Sequence, residues 1–236
     1  AYNNVDGQEN TAIGQASLYT NTTGNYNTAV GRYALRLSTT ASNNTAVGTF
    51  SLTSNTTGAN NTAVGFNALD ANTTGEKNTC IGNYAGVTGN TAHFNENVAV
   101  GYNSLGSVVD SSDHTAVGFE AQKADCGSEN TAFGFKAARS NTSIRLIAIG
   151  PFAGQFNTTW ANTFIGYGAG QGASTSTPVS GSNNTTVGYL AGNALTSGNT
   201  NTLIGHQAGD AMTTAQDNTA VGTNALGVCT TGQENT

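Results

Sequence analysis

The residues able to carry acid–base, nucleophilic or metal chemistry are few and poorly placed for it. The three His residues, His93, His114 and His206, lie at least 21 residues apart. No Ser, His and Asp set converges by spacing, so an active site has no inventory from which to be built. His114 and His206 read as surface or turn positions. The three Cys cannot pair completely within one chain. Cys126 and Cys229 fall in distant connectors and read as free thiols, and Cys80 as a small packed hydrophobe. The 13 acidic residues are scattered, which argues against calcium-binding β-roll repeats, whose coils each need an Asp. Gly166-Tyr167-Gly168-Ala169-Gly170 imitates a dinucleotide-binding loop, yet no helical pattern follows it. The expectation is a non-enzymatic protein with no cofactor and no metal site.

Composition narrows the partners. The 236 residues carry a net charge of −6, and charged types make up 8%, against about 25% in an ordinary soluble domain. Seven basic residues cannot form the cationic stripe that a phosphate backbone requires, so no nucleic acid is expected. The longest apolar run, roughly 146–153, is far short of the ~20 residues of a membrane helix, so no membrane insertion is expected. In place of charge the chain holds 31 Asn, 38 Thr and 31 Gly. Nine Asn-x-Ser/Thr sequences begin at Asn21, Asn43, Asn55, Asn60, Asn72, Asn141, Asn157, Asn183 and Asn184, acceptors only in a host that glycosylates.

These residues are organised by a repeat. The pattern Asn-Thr-Ala-Val-Gly places its Gly at 14, 31, 48, 65, 82, 101, 118, 134, 150, 166, 188, 205 and 222. Spacings are mostly 16 or 17, with single values of 19 and 22, and insertions fall between copies and never within them. A fixed motif with elastic connectors is how stacked coils behave. Val, Ile or Phe always precedes the Gly, and Thr stands three before it in 11 of 13 copies, both strand-favouring types. Asn stands four before it in 11 of 13, the exceptions being His114 and Leu146, and three after it there is always Ala or Ser. Connectors such as Asn21-Thr22-Thr23-Gly24 supply turn residues that bond their own backbone. Residues 1–236 therefore read as one repeat array, an all-β parallel β-solenoid of about 13 coils.

Alternation along a strand puts the Thr and Val positions on one face and the Ala between them on the other. The expectation is that Thr and Val face the core, with Thr bonding along a ladder beside stacked Asn. The predicted ladder is exemplified by Asn27, Thr28, Val30, Gly31 and Ala34, and by Asn61, Thr62, Val64, Gly65 and Ala68. The middle positions, from Ala12 to Ala220, are small or apolar throughout. They would then form a second face needing cover from another chain, and a closed cyclic assembly satisfies that need. An ice-binding Thr array is the rival; it requires Thr to face outward.

Two copies, Asn97-Val98-Ala99-Val100-Gly101-Tyr102-Asn103-Ser104 and Ile147-Ala148-Ile149-Gly150-Pro151-Phe152-Ala153, resemble the Val-Ala-Ile-Gly-x-x-Ser/Ala repeat of the YadA-type head of trimeric autotransporter adhesins. The copies with Thr first are also similar to Asn-Thr-Ala-Ile-Gly repeats of phage tail-fibre proteins. The resemblance spans residues 10–226. It implies a left-handed β-roll, three chains about a common axis, and a stiff shaft or head on a cell surface or virion. The longer connectors here depart from the shorter YadA-type repeat, which leaves the receptor unassigned.

The variable surface is the remaining place for recognition. Tyr33, Phe66, Tyr102, Tyr167 and Tyr189 lie one or two residues past a motif Gly, and Trp160 sits in a connector. Such aromatics either bind glycan or protein, or brace the next coil. The C-terminal Gly232-Gln233-Glu234-Asn235-Thr236 repeats Gly7-Gln8-Glu9-Asn10-Thr11, so the array reads as a window of a longer fibre or as coils that stack end to end into a filament. The expected function is a homotrimeric, extracellular or virion-borne structural and adhesive fibre segment, with a host surface receptor or glycan as partner.

Overall fold

The computed structural model describes residues 3–87 and 94–236. It is an all-β solenoid with thirteen parallel strands of three residues each and no helix among the described residues. The chain divides into two compact units, Ala1–Val117 and Gly118–Thr236. The first holds β1 (Thr11–Ile13), β2 (Thr28–Val30), β3 (Thr45–Val47), β4 (Thr62–Val64), β5 (Thr79–Ile81), β6 (Val98–Val100) and β7 (Thr115–Val117). The second holds β8 (Thr131–Phe133), β9 (Ile147–Ile149), β10 (Thr163–Ile165), β11 (Thr185–Val187), β12 (Thr202–Ile204) and β13 (Thr219–Val221).

Within the first unit each strand pairs in register with the next, Thr on Thr, Ala on Ala and Val on Val, as in β2 and β3. Main-chain bonding continues around the coil beyond the strands. Thr28 N–H donates to the Asn44 carbonyl at 2.8 Å, Leu35 N–H to Ser51 at 3.1 Å and Thr39 N–H to Thr56 at 3.0 Å. The three-residue strands are thus the flattest part of a ladder that satisfies backbone groups along most of each turn.

Two features of the corner set the spacing between coils. Gly31 has φ of 134°, and a Cβ there would lie 2.6 Å from the carbonyl carbon of Gly48 in the next coil. Only Gly fits, for backbone conformation and for space together. Four residues after the Gly, Leu18, Leu35, Leu52, Leu69 and Leu105 hold left-handed φ between 48° and 52° and are fully buried. That conformation costs about 1–2 kcal/mol for an L-residue. Burying a Leu, worth about 1.5–3 kcal/mol, offsets it.

The strand faces are the reverse of the sequence expectation. Ala29, Ala46, Ala63, Cys80, Ala99 and Ala116 are fully buried, whereas no Thr or Val of β1 to β7 is buried. The Leu column already fills the narrow interior, and on the strand opposite it there is room for Ala but not for two β-branched side chains. The small residue three after each Gly is buried for the same reason, from Ser17 to Ala208.

In the second unit the bulk of several coils moves from the corner to the strand. Its strand-middle positions include Phe164 and Leu203, and the Leu column is replaced by Gly154, Gly170, Gly192 and Gly209. A Cβ on Gly154 would stand 2.8 Å from the Phe164 ring, one on Gly209 2.8 Å from Leu203, and one on Gly170 would overlap Phe164. Large-on-strand with Gly at the corner, or Ala-on-strand with Leu at the corner, are two fillings of one space. Phe164→Ala is expected to lower stability by about 3–5 kcal/mol. Adding Gly170→Leu, the residue that other coils carry there, is expected to recover more than half of that loss in denaturant unfolding. Additive losses would show that the two positions share no space.

Candidate functional site

With the interior filled, function has to lie on the outside, where each unit presents two strips. The first is the outward strand face. In the first unit one column reads Thr11, Thr28, Thr45, Thr62, Thr79, Val98 and Thr115, and the other Ile13, Val30, Val47, Val64, Ile81, Val100 and Val117. Neither carries a charge. The aliphatic column stays solvent-accessible along its length, reaching 60% exposure at Ile13, and in the second unit Phe133 is 54% and Val221 68% exposed. The Thr hydroxyls of these columns bond no other described residue, in contrast to the expected Thr ladder. Successive members of a column stand about 4.8 Å apart, the strand spacing. Of the predicted ladder residues, the structure therefore puts Asn27, Ala34, Asn61 and Ala68 in the interior, Gly31 and Gly65 at the corners, and Thr28, Val30, Thr62 and Val64 on the outer face.

The Asn ladder is internal. Asn27 Nδ2 donates to Asn10 Oδ1 at 3.1 Å and to the Ala41 carbonyl at 2.8 Å, while Asn27 Oδ1 accepts from Asn44 N–H at 3.1 Å. The same pattern runs through Asn61 and Asn78 to Asn97. Each of these ladder amides has its oxygen and its nitrogen bonded to neighbouring coils, so the ladder positions coils and offers nothing to a ligand. In the Asn-Thr-Thr-Gly connectors a second buried Asn turns back on its own loop, as in Asn55 Nδ2 to the Gly58 carbonyl at 2.9 Å.

His114 occupies a ladder position and is buried, not on the surface. Its N–H donates to Asn97 Oδ1 at 3.0 Å, and its Nε2 lies 2.9 Å from Ser111 Oγ. Burial disfavours the imidazolium and pushes its pKa down to about 4. His206 is exposed and stacks on Tyr189, with ring centroids 5.2 Å apart. His93 lies outside the described residues. Among those described, no three His, Cys, Asp or Glu side chains gather as a metal site requires. The three Cys are free thiols. Burial pushes Cys80 up to about 12 and Cys126 up to about 11, which keeps both unreactive near neutrality. Of the nine glycosylation sequences, Asn21, Asn55, Asn72, Asn141, Asn157 and Asn184 have buried side chains. Asn43, Asn60 and Asn183 are exposed.

The second strip is an aromatic ladder beside the Gly corner. In the first unit Tyr33, Phe50, Phe66, Tyr84 and Tyr102 follow one another at centroid distances of 5.3, 6.2, 5.4 and 5.9 Å. In the second, Phe119, Phe135, Phe152, Tyr167 and Tyr189 are spaced 5.3, 5.3, 5.7 and 5.4 Å. The rings brace successive coils and still show an edge to solvent: Phe66, Tyr102, Tyr167 and Tyr189 are all exposed. Trp160 is exposed on the connector between β9 and β10 and makes no ring contact among the described residues.

Comparison with protein-family models, with curated proteins and with solved structures finds no match.

The depressed His114 pKa has a definite sign. Between pH 6.5 and about 4 the unfolded chain binds a proton that the folded chain refuses, so stability falls as pH falls through that window. The expected loss at His114 is on the order of 2–3 kcal/mol by linkage. His114→Asn, which restores the ladder residue, should remove this dependence when denaturant midpoints are compared at pH 7 and pH 4.5. An unchanged slope in the variant would contradict the assignment.

Proposed function

We propose that this chain is a segment of a structural and adhesive fibre in which three copies, each a left-handed β-roll, pack along a common axis through their outward strand faces. The observation that carries the reading is the uncharged strand face, whose Val, Ile and Phe column is half-buried to exposed in both units and nowhere buried. Such a strip, repeated coil after coil, favours association over exposure to water. Parallel copies can bury it along the whole array, and cyclic symmetry closes the assembly. This moves the interface from the Ala positions to the Thr and Val positions. The resemblance to trimeric adhesin heads and tail fibres supplies the number three and the extracellular or virion setting. The interior, filled by Asn, Ala and Leu, gives each copy stiffness, and the variable corners are left for a host receptor or glycan.

The outward Thr hydroxyls favour a second reading, an ice-binding surface, because a lattice match needs Thr facing water. The aliphatic column weighs against it. It mixes Val with Ile and carries Phe133, and Val98 and Ile147 interrupt the Thr column. These steps spoil a planar match yet are readily accommodated by a packed protein interface.

The two readings separate in one experiment. Light scattering on the full chain is expected to give a mass of three copies. Val30→Lys with Val64→Lys, two coils apart in the column, should reduce it to single chains while the melting temperature of each coil array shifts little, since both positions point outward. Ala46→Lys at the interior position should unfold the region instead. A wild-type monomer that depresses the freezing point through thermal hysteresis would replace the fibre reading with the ice-binding one.

A further inference from the structure

The basic residues are distributed in a way that the fibre reading does not use. Four of the seven are neutralised in ion pairs: Lys77 with Glu96 at 2.6 Å, Lys123 and Arg139 with Glu120 at 2.9 and 2.7 Å, and Arg145 with Glu129 at 2.8 Å. The other three, Arg32, Arg36 and Lys136, have no carboxylate within 4 Å among the described residues, and all three lie over rings of the aromatic ladder. In a chain of net charge −6, each Lys or Arg without an acidic partner among the described residues is held on the aromatic strip of its own unit.

Two of them contact the same ring, that of Tyr33. The Arg32 guanidinium carbon is 4.2 Å from the Tyr33 ring centroid and 5.5 Å from that of Phe50, and the Arg36 carbon is 5.0 Å from the same Tyr33 ring. The Tyr33 and Phe50 rings are tilted 44° to each other rather than stacked, and Arg32 lies over both. Its Nε donates to Gln15 Oε1 at 3.1 Å and its Nη2 to Tyr33 Oη at 3.1 Å. Guanidinium has five N–H donors, so three remain, shared between Nη1 and Nη2, which is the end-on fork that grips a carboxylate. Arg36 is exposed and brings a second guanidinium to the same ring. Cation–π contact and two side-chain hydrogen bonds fix Arg32 before any ligand arrives, which lowers the ordering cost of binding.

We infer that Arg32, Arg36 and Tyr33 form a binding site for a single acidic sugar unit, one carboxylate on an otherwise neutral glycan. The carboxylate seats on the two guanidiniums, and the sugar hydroxyls meet the uncharged amide and hydroxyl surface of Gln15 and Thr49. Phe66, 6.2 Å beyond Phe50 and exposed, offers an apolar edge to the next ring of the glycan. A dense polyanion is disfavoured, because one arginine pair cannot compensate a run of negative groups against a chain of net charge −6. The site stands apart from association through the strand face, since it uses the corner and its binding is counted per chain in any oligomeric state.

The test is a calorimetric titration of the full chain with sialyllactose, a glucuronate-terminated oligosaccharide, neutral lactose and dextran sulfate. Expected is saturable binding of at least one acidic oligosaccharide, at least tenfold tighter than lactose. Arg32→Gln with Arg36→Gln should weaken it tenfold or more while the melting temperature stays unchanged. Arg32→Lys, which keeps the charge and loses the fork, should weaken it to an intermediate degree. The inference is overturned if neither acidic oligosaccharide binds, if lactose binds as tightly, if only dextran sulfate binds, or if the double glutamine variant binds like the wild type.

Discussion

The close approach of successive coils at the glycine corner is the constraint on which the rest depends. The chain turns there at φ near 130°, with the next coil's carbonyl in the space that a Cβ would need. Stacking at that distance lets main-chain hydrogen bonds continue from coil to coil, and it brings identical residues into columns. Once columns exist, each position repeats its physics: Asn amides chain through the interior, Leu side chains stack behind the corner, and rings outside the corner meet at 5–6 Å. A side chain that suits one coil suits its neighbours, which is why the same few residue types recur and why charge is nearly absent. Like charges in a column would repel along its whole length.

The narrow interior decides what the outside can be. Volume inside a coil is so limited that Leu on one side requires Ala on the other, and Phe164 requires Gly170. The β-branched residues that make the strands are thereby pushed outward. The consequence is an uncharged, partly aliphatic face that the described residues leave uncovered, alongside an aromatic strip that carries the Arg and Lys side chains without an acidic partner among those residues. In the proposed fibre, stiffness, association and recognition fall to three different sets of columns.

Much of this is legible in the residues. The spacing of the motif gives the coil, the invariant Gly gives the corner, and the small residue three later gives a buried site, because each follows from a single-residue constraint. The direction of the strand is not legible from hydrophobicity, which points Val inward. The clue lies one residue earlier. Asn27 and Ala29 alternate on one face, and a ladder Asn needs the interior to keep its amide bonded. The Leu column was open to the same reasoning, since Leu18, Leu35, Leu52 and Leu69 recur at 17-residue intervals. It is hidden by its replacement with Gly in later coils, a compensation visible only when the facing strand residue is known. His114 is similar: its ladder register marks it as interior, whereas its residue type suggests the surface. The arginine pair on Tyr33 could not be read at all, because it depends on how side chains one residue before and three residues after it fold over one ring.

The strand's middle residue faces the interior and its neighbours face out. Moving one thiol by a single position tests it: the native chain, with Cys80, is compared with a variant carrying Cys80→Ala and Ile81→Cys, each exposed in the folded state to an alkylating reagent and to a mild oxidant, with the peptide followed by mass spectrometry. The account predicts that Cys80 is neither alkylated nor cross-linked, and that the thiol at position 81 reacts, by alkylation in single chains or by a disulfide between copies in an assembly. A Cys80 that labels or cross-links while position 81 stays protected would contradict it.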